Sequence, residues 1–293
     1  MKFKLTAIVL AIILALSMFA GCGGTDSAND GDFDSDKEIN LVTREDGSGT
    51  RSAFVELLEI EVKNDDGTKQ DLTSVEAVVA KATDIMMTSI SGDTYSIGYI
   101  SLGSMNETVK AVKIDEVEAT AENVKNGSYA IQRPFNIVTK GDVDGLAKDF
   151  IDFILSADGQ KVIAEGYVSI DDSAADFESA SPSGKITVGG STSVSPIMEK
   201  LKEAYLAINP DAEIEIQTTD SSAGITGTID GILDIGMASR DLKDEEVGEV
   251  DSTQIAIDGL AVIVNNSNPI ESLTADQIKS MYIGDTTSWS EVE

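Results

Sequence analysis

The sequence predicts an α/β fold. From residue 39 onward, short β-branched runs alternate with runs whose apolar residues have helical spacing, which indicates βαβ units and a largely parallel sheet. Glycine and hydroxyl residues follow several of the strands at the points where helices begin. The hydrophobic fraction of 41% is typical of a globular protein and not of a disordered acidic chain.

The elements follow from these patterns in chain order. Apolar residues at spacings of three and four predict four helices, marked by Phe54, Leu57 and Leu58; by Leu146, Phe150, Phe153 and Ile154; by Val194, Ile197, Met198, Leu201 and Tyr205; and by Ile225, Ile229 and Ile232. Alternating or β-branched runs predict strands at Lys185–Val188, Glu213–Gln217, Gln254–Ile257 and Leu260–Val264, and a buried strand within Gly231–Arg240.

Composition excludes several function classes. The chain has 293 residues, a net charge of −31, one cysteine and no histidine. So acidic a chain is a poor candidate for binding nucleic acid through a basic surface. Without histidine there is no Ser-His-Asp machinery and no imidazole metal site, and one cysteine cannot form an internal disulfide or a thiolate zinc site. We therefore expect no metal, no cofactor and no catalytic residues.

The N-terminus predicts export. Lys2 and Lys4 precede an apolar run, and small residues then lead to Cys22, which is typical of a secretory signal. The segment Phe-Ala-Gly-Cys resembles a bacterial lipobox, so residues 1–22 are a predicted lipoprotein signal and Cys22 the predicted lipidation site. An ordinary signal peptide with an incidental cysteine is the alternative. Residues 23–38, rich in Gly, Ser and Asp, are a predicted flexible tether.

Three predicted strand-to-helix junctions have the same chemistry. They are Thr43–Arg51, Gly189–Val194 and Thr219–Gly224, each rich in glycine and hydroxyl residues. The first N–H groups of a helix have no intrahelical acceptor and carry partial positive charge. One such junction is explained by helix capping alone, but three in one chain favour a shared tetrahedral oxyanion. None has the spacing of a nucleotide-binding loop.

Much of the chain resembles the PstS family, the phosphate-binding subunits of bacterial high-affinity phosphate ABC importers. The resemblance implies a two-lobed periplasmic-binding-protein-like fold (type II), a ligand cleft between the lobes and hinge closure. The matching segments are TREDGSGTRSAF (43–54), IGYISLG (97–103), YAIQRPFNIVTKG (129–141), FILSADGQKVIAEGYV (153–168), GGSTSVSPIMEKL (189–201), TTDSSAGI (218–225), DIGMASRDLKDEE (234–246) and VNNSNPIESLTADQIKSMYIGDTTSW (264–289).

The order of these segments differs from the family's, in which the GSTS segment comes first. We interpret the order as a circular permutation, with the old termini joined through residues 167–185 and the new ends together in an exposed loop; a piece of a tandem array is the alternative. One lobe then comprises residues 39–132 plus 265–293 and carries the GSGTR helix, and the other comprises 133–264 with the GSTS and SSAG helices. The predicted hinge crossings lie near 133–135 and 262–265.

The resemblance also implies the ligand contacts. The predicted phosphate-binding residues are Arg44, Ser48, Gly49 and Thr50 from one lobe, and Thr192, Ser193 and Ser221 from the other. Asp46 is predicted to brace Arg44. Some family members have an aspartate that can accept the phosphate proton where this chain has Arg240, after Ser239, so Asp220 and Asp46 are the candidate acceptors. Arg240 either adds positive charge or points outward to pair with Asp241 or Glu245.

The resulting hypothesis is a lipid-anchored, extracytoplasmic receptor, monomeric, that delivers phosphate to the membrane permease and ATPase subunits of an ABC importer. Two alternatives remain open: a receptor for sulfate, molybdate or tungstate, and a sensory or adhesion lipoprotein with the same fold. An enzyme is disfavoured because neither a metal cluster nor an activated nucleophile is visible in the sequence.

Overall fold

The structure is a computed structural model that describes residues 33–64 and 68–292. The predicted signal, Cys22 and the first part of the tether lie outside the described residues. Contact clustering separates Ser35–Glu293 from the residues before it, and all the elements below belong to this unit, which we call the second unit. Within the described ranges, no helix has both the length and the apolar character needed to cross a bilayer.

Strands and helices alternate along most of the second unit. The strands are β1 (Asn40–Arg44), β2 (Glu61–Lys63), β3 (Lys69–Asp71), β4 (Val78–Ala80), β5 (Ser96–Ser101), β6 (Val109–Ala111), β7 (Lys113–Ile114), β8 (Gln132–Thr139), β9 (Val168–Ser169), β10 (Gly184–Ser191), β11 (Ala212–Thr219), β12 (Ile235–Ala238), β13 (Asp251–Asn265) and β14 (Ser272–Leu273). The helices are α1 (Gly49–Leu57), α2 (Thr83–Ser91), α3 (Ala121–Lys125), α4 (Gly145–Leu155), α5 (Ala157–Ile163), α6 (Ser195–Ile208), α7 (Ser221–Ile229) and α8 (Ala275–Ile283), with short 3₁₀ turns at Leu102–Ser104 and Trp289–Glu291.

The main sheet is mixed rather than largely parallel. Its strands follow the order β11-β10-β12-β8-β13-β5-β1-β4, and β6 and β9 also pair with β13. Pairs at both ends are parallel, but β8 and β13 pair antiparallel with each other and with β12 and β5 respectively. The predicted parallel sheet is therefore wrong in the middle, where these two strands run against their neighbours.

Strand β13 joins two halves of the sheet. Its residues up to Gly259 pair with β8 and β9, and its residues from Leu260 pair with β5 and β6. The sequence predicted two strands here, whereas Asp258 and Gly259 continue the pairing with β8 and make one strand. We call β1, β4, β5 and β6 with their helices the β1 half, and β8 to β12 with theirs the β10 half.

Each half has its own apolar core. The larger cluster lies in the β10 half and includes Phe135, Phe150 and Met198, and a second cluster in the β1 half includes Val42, Met86 and Ile100. The predicted inward face of α6 is confirmed, since the residues that marked it are each at most 1% exposed: Val194, Ile197, Met198, Leu201 and Tyr205. The helix predicted from Ile225, Ile229 and Ile232 is shorter than expected: Ile232 is 70% exposed, because α7 ends at Ile229 and Gly231 adopts a positive φ of 70°.

The predicted linker 167–185 is tied to the β10 half. Asp149 on α4 accepts hydrogen bonds from Ser179 Oγ at 2.7 Å and from the Ala180 N–H at 2.9 Å. The Phe177 ring packs edge-on against Phe153 with ring centroids 5.2 Å apart. A segment with the composition of a linker therefore has a fixed path, because side chains of the helices satisfy its backbone.

The two ends of the second unit lie side by side. The N–H of Ser290 donates to the Ser35 carbonyl at 2.7 Å, and the N–H of Ile39 donates to the Thr287 carbonyl at 2.8 Å. Trp289 is fully buried next to this pairing, and its indole N–H donates to the Tyr95 carbonyl at 3.1 Å.

Candidate functional site

The three glycine- and hydroxyl-rich junctions meet at one place. They are the links β1–α1, β10–α6 and β11–α7. Thr50 Oγ1 lies 2.8 Å from Ser193 Oγ, and Arg44 Nη2 donates to Thr192 Oγ1 at 3.1 Å. These contacts join the β1 half to the β10 half, so the predicted residues from both parts of the sequence share one site.

Gly49 allows a close approach between the halves. A Cβ atom at this position would overlap Ser221 Oγ and would lie 2.7 Å from Ser239 Oγ. Because real Cβ atoms do not come this close to other heavy atoms, only glycine fits between α1 and α7 in this arrangement. The backbone of α1 therefore begins directly against the hydroxyl groups of the other half.

A buried cluster of serine hydroxyls forms the β10 side of the site. Ser191 Oγ donates to Ser239 Oγ at 2.9 Å, and Ser239 Oγ lies 3.3 Å from Ser221 Oγ. The N–H of Ser193 donates to Ser191 Oγ at 3.2 Å. All four residues are at most 3% exposed. Hydroxyls can rotate to donate or accept, so the cluster can reorganise around an anion.

Ser48 both caps α1 and faces the site. Its hydroxyl oxygen accepts the Arg51 N–H at 3.3 Å, and the residue is 2% exposed. Because this capping bond uses the oxygen as an acceptor, the hydroxyl proton is available to another group. The N–H groups of Gly49 and Thr50 come before the first i→i−4 bond inside α1 and point out of its N-terminus.

Arg44 supplies the formal positive charge of the site. It is the last residue of β1 and is 1% exposed. Its Nε donates to the Ala80 carbonyl at 3.0 Å, and Nε and Nη2 donate to the Glu45 carboxylate at 2.9 and 2.7 Å. Nη1 is buried and has no hydrogen-bond partner in the part of the chain that the structure describes. One charged nitrogen thus remains for a ligand.

The predicted brace of Arg44 is wrong by one residue. Glu45 holds the guanidinium, whereas Asp46 is 97% exposed and pairs with Arg51 Nη1 at 2.8 Å. The cause is a turn after β1, closed by the Ser48 N–H donating to the Glu45 carbonyl at 3.0 Å. It carries Asp46 away from Arg44 toward the helix, so Asp46 is not a buried acceptor either.

Arg240 does not take either predicted position. It is 5% exposed and forms a two-pronged pair with Glu246, with both N–O distances 2.7 Å, instead of pointing outward to the side chain of Asp241 or Glu245. The intervening turn explains this, because the Lys243 N–H donates to Glu246 at 2.8 Å and folds its carboxylate back. Both terminal nitrogens of Arg240 therefore donate to groups of the β10 half and not toward the anion donors.

Asp220, a predicted acceptor, caps α7. Its Oδ1 accepts the Ala223 N–H at 2.8 Å, and its carboxylate lies against Gly47.

Two other residues of the site were not predicted from the sequence. Ser191 lies in the same run as Thr192 and has the same signal. Thr83 Oγ1 lies 3.2 Å from Thr192 Oγ1, but it follows β4 through Lys-Ala, without the glycine or serine that marked the other junctions.

A buried ion pair supports the serine cluster from behind. Arg133 and Asp258 are partners on β8 and β13, with Nη2 3.1 Å from Oδ2, and Arg133 Nη1 donates to the Ser239 carbonyl at 3.2 Å. Burial raises the pKa of Asp258 to about 6, against the lowering effect of Arg133 and of Ser101, which donates to it at 2.9 Å. The pair fixes the backbone of Ser239 beside the paired strands β8 and β13.

This arrangement is suited to holding a tetrahedral oxyanion. It combines helix N-termini, hydroxyls and one guanidinium nitrogen, all buried, and such donors match anionic oxygens. Among residues 33–64 and 68–292, no group of three or more acidic, cysteine or histidine side chains is arranged to hold a metal ion.

Comparison with known proteins gives matches over nearly the whole chain. A profile of the PBP superfamily domain matches residues 26–158 and 175–293. The phosphate-binding protein PstS 2 of Streptococcus agalactiae serotype V is 48% identical over 291 residues, which are 98% of this chain and 97% of that protein. The crystal structure of a phosphate-binding protein of a phosphate ABC transporter from Streptococcus pneumoniae TIGR4 is 41% identical, with a TM-score of 0.69 over 87% of this chain and 100% of that one.

A third relative matches only part of the chain. The phosphate-binding protein PstS of Bacillus subtilis strain 168 is 34% identical over 140 residues, which are 47% of this chain and 43% of that protein.

Proposed function

We propose, from the premise that the chain belongs to the PstS family of phosphate-binding proteins within the PBP superfamily, that it captures inorganic phosphate as the substrate-binding protein of a phosphate ABC transporter. The observation that carries the proposal is the buried Nη1 of Arg44, which lacks a partner among the described residues and lies among hydroxyl groups and helix N-termini. A charged donor buried without a partner costs free energy, which a phosphate oxygen would recover.

Phosphate is held in this proposal by local donors rather than by a positive surface. The chain carries a net charge of −31, so the protein's overall field opposes the approach of an anion and added salt screens that effect. Ser48, Gly49 and Thr50 donate from α1 and its cap, Thr192, Ser193 and Ser221 donate from the β10 half, and Arg44 provides the charge-assisted bond.

The ligand would sit in a cleft between two lobes, which we assign to residues 39–132 plus 265–293 and 133–264. The separate apolar cores and the change of partners along β13 support this division. Since Thr50 and Ser193 contact each other directly, phosphate enters after the lobes separate and then replaces that contact as they close, with β8 and β13 as the hinge strands.

Asp220 is our candidate for the acceptor of the phosphate proton, which sulfate lacks at neutral pH. Its Oδ1 is used by the helix cap, and its second oxygen remains to accept. Residue 240 cannot be the proton acceptor, because it is an arginine and is paired with Glu246.

The setting of the receptor follows from the N-terminus and from the family. We propose that Cys22 is lipidated and anchors the protein, through the tether 23–38, to the extracytoplasmic face of the membrane. There it would deliver phosphate, as a monomer, to permease and ATPase subunits. The sequence motif at residues 19–22 supports the anchor, and incorporation of labelled palmitate that is lost in C22S would test it.

We also propose that the chain is a circular permutation of the common PstS order. Three observations support it: the pairing of Ser35–Ile39 with Thr287–Ser290, the contacts of the linker 167–185 with the β10 half, and a match to the Bacillus subtilis protein over less than half of either chain. A variant that begins at Lys185, joins residue 293 to residue 39 and ends near residue 176 should fold and bind phosphate, and failure to fold would count against the proposal.

Calorimetric titration of the full chain in mild detergent tests the function. We expect binding heat from phosphate at micromolar protein and little from sulfate. D220N should narrow the difference in affinity between phosphate and sulfate. No phosphate heat would refute the proposed function. Heat from sulfate, molybdate or tungstate alone would instead indicate a receptor for another oxyanion.

A further inference from the structure

Gly47 and Ser222 form a contact that lies beside the anion donors. The N–H of Ser222, the second residue of α7, donates to the Gly47 carbonyl at 3.2 Å. Gly47 belongs to the turn between β1 and α1, so this hydrogen bond joins the β1 half to the β10 half by backbone alone. A Cβ atom on Gly47 would lie 2.5 Å from Asp220 Oδ1, so any larger residue here would displace the Asp220 carboxylate.

The Ser222 N–H binds a protein carbonyl although it lies at a helix N-terminus. The first N–H groups of a helix are the ones that bind anions at its N-terminus, and α7 gives one of them to a carbonyl of the opposite half. Its neighbour Ser221 points its hydroxyl at the serine cluster. The start of α7 therefore has two separate functions: Ser221 faces the ligand side, and Ser222 contacts the other half of the protein.

Arg240 and Glu246 fix the position of Ser222. Arg240 Nη2 donates to Ser222 Oγ at 3.1 Å, and the two nitrogens of its fork each lie 2.7 Å from a Glu246 oxygen. Both residues are at most 9% exposed. A buried bidentate pair restricts the orientation of the guanidinium. Arg240 therefore holds the Ser222 hydroxyl at the start of α7, where the Ser222 N–H donates to the Gly47 carbonyl.

We propose that the Gly47–Ser222 hydrogen bond, positioned by Arg240 and Glu246, is a latch that keeps the cleft closed and sets how long phosphate stays bound. The inference rests on the proposed function. It gives Arg240 a positioning role in place of ligand contact.

The latch has a kinetic signature. Phosphate meets the open form, in which Gly47 and Ser222 are apart, so loss of the latch leaves the association rate constant unchanged. It weakens only the closed form and raises the dissociation rate constant. A single neutral hydrogen bond contributes enough to change that constant by about threefold to tenfold.

The test is a chase of bound [³²P]phosphate with unlabelled phosphate, on the full chain in detergent. S222A keeps the backbone N–H but removes the hydroxyl that Arg240 holds, and E246Q loosens Arg240 itself. We expect both to dissociate phosphate about threefold to tenfold faster, with unchanged association and an unchanged ratio of phosphate to sulfate affinity. The double variant should release phosphate no faster than the faster of the two single variants, because both substitutions act on one network.

E245Q is the matched control, since it removes the same charge from an exposed neighbour and should dissociate phosphate at the wild-type rate. Dissociation from S222A and E246Q at the E245Q rate would overturn the latch, and so would a changed phosphate-to-sulfate ratio, which signals ligand contact. If E246Q does not fold, S222A alone decides. Retention of label by the wild-type chain reports on the proposed function separately.

Discussion

Replacing Arg44 by lysine tests the charged donor of the site. Arg44 donates hydrogen bonds from Nε and Nη2 to three groups, the Glu45 carboxylate, the Ala80 carbonyl and the Thr192 hydroxyl, and Nη1 remains for the ligand. The three N–H groups of a lysine diverge from a single atom and cannot reproduce this fork. R44K therefore keeps the charge and loses either the contacts that position it or the bond to phosphate.

The size of the effect follows from one charge-assisted hydrogen bond. Such a bond contributes about 1.5–3 kcal/mol, which corresponds to a loss of affinity of about tenfold to 150-fold. Titration calorimetry at fixed salt measures it, with thermal unfolding of the ligand-free protein to verify folding. The companion variant D46N removes an exposed carboxylate paired with Arg51, and we expect its affinity to stay within about threefold of wild type, the scale of a surface ion pair.

Wild-type affinity in R44K would refute the assignment of Nη1 to the ligand. Equal losses in R44K and D46N would restore the sequence-based prediction that Asp46 braces Arg44.

Three further predictions follow from the packing and the ionisable groups. G49A places a methyl group against Ser221 and Ser239, and calorimetry should find phosphate affinity about 5-fold to 150-fold weaker, as for an overpacked contact, with little change in thermal stability; wild-type affinity would contradict it. D149N loosens the bonds from Ser179, Ala180 and Tyr205, so urea unfolding should find it about 1–3 kcal/mol less stable with unchanged phosphate affinity. Burial raises the pKa of Asp149, but these hydrogen bonds lower it by more and leave it below its usual value. The stability of the wild type over D149N should therefore fade as pH falls through that pKa, and a stability difference that persists in acid would count against this. Burial raises the pKa of Asp258 to about 6, so the pH dependence of stability has the opposite sign: the contribution of Asp258 is fully present below the unfolded pKa and is lost as pH rises through 6. The free energy of unfolding of the wild type relative to D258N should therefore gain about 1 kcal/mol from pH 7 to pH 5. Parallel pH profiles of the two proteins would contradict this.

The sequence predicted the parts of the site that depend on local chemistry. Glycine and hydroxyl residues at a helix start have the same role whatever surrounds them, so the three junctions and the inward face of α6 could be read from spacing. The gathering of those junctions could not be derived from spacing and came from the family resemblance.

Predictions that depended on the path of the chain were less accurate. Which carboxylate reaches Arg44 depends on the turn closed between Glu45 and Ser48, and a shift of one residue exchanged the roles of Glu45 and Asp46. Arg240 was unpredictable for the same reason, since Glu246 reaches it only because the turn at Lys243 folds back. Thr83 gave no signal because it reaches the site through tertiary packing of β4 and α2.

The central claim is that phosphate binds where the three junctions meet, and a crystal structure of the chain with phosphate tests it most directly. The account predicts one phosphate with an oxygen within hydrogen-bond distance of Arg44 Nη1 and contacts to Thr50, Ser193 and Ser221. Phosphate bound elsewhere, or at this place with Arg44 Nη1 still unpaired, would contradict it.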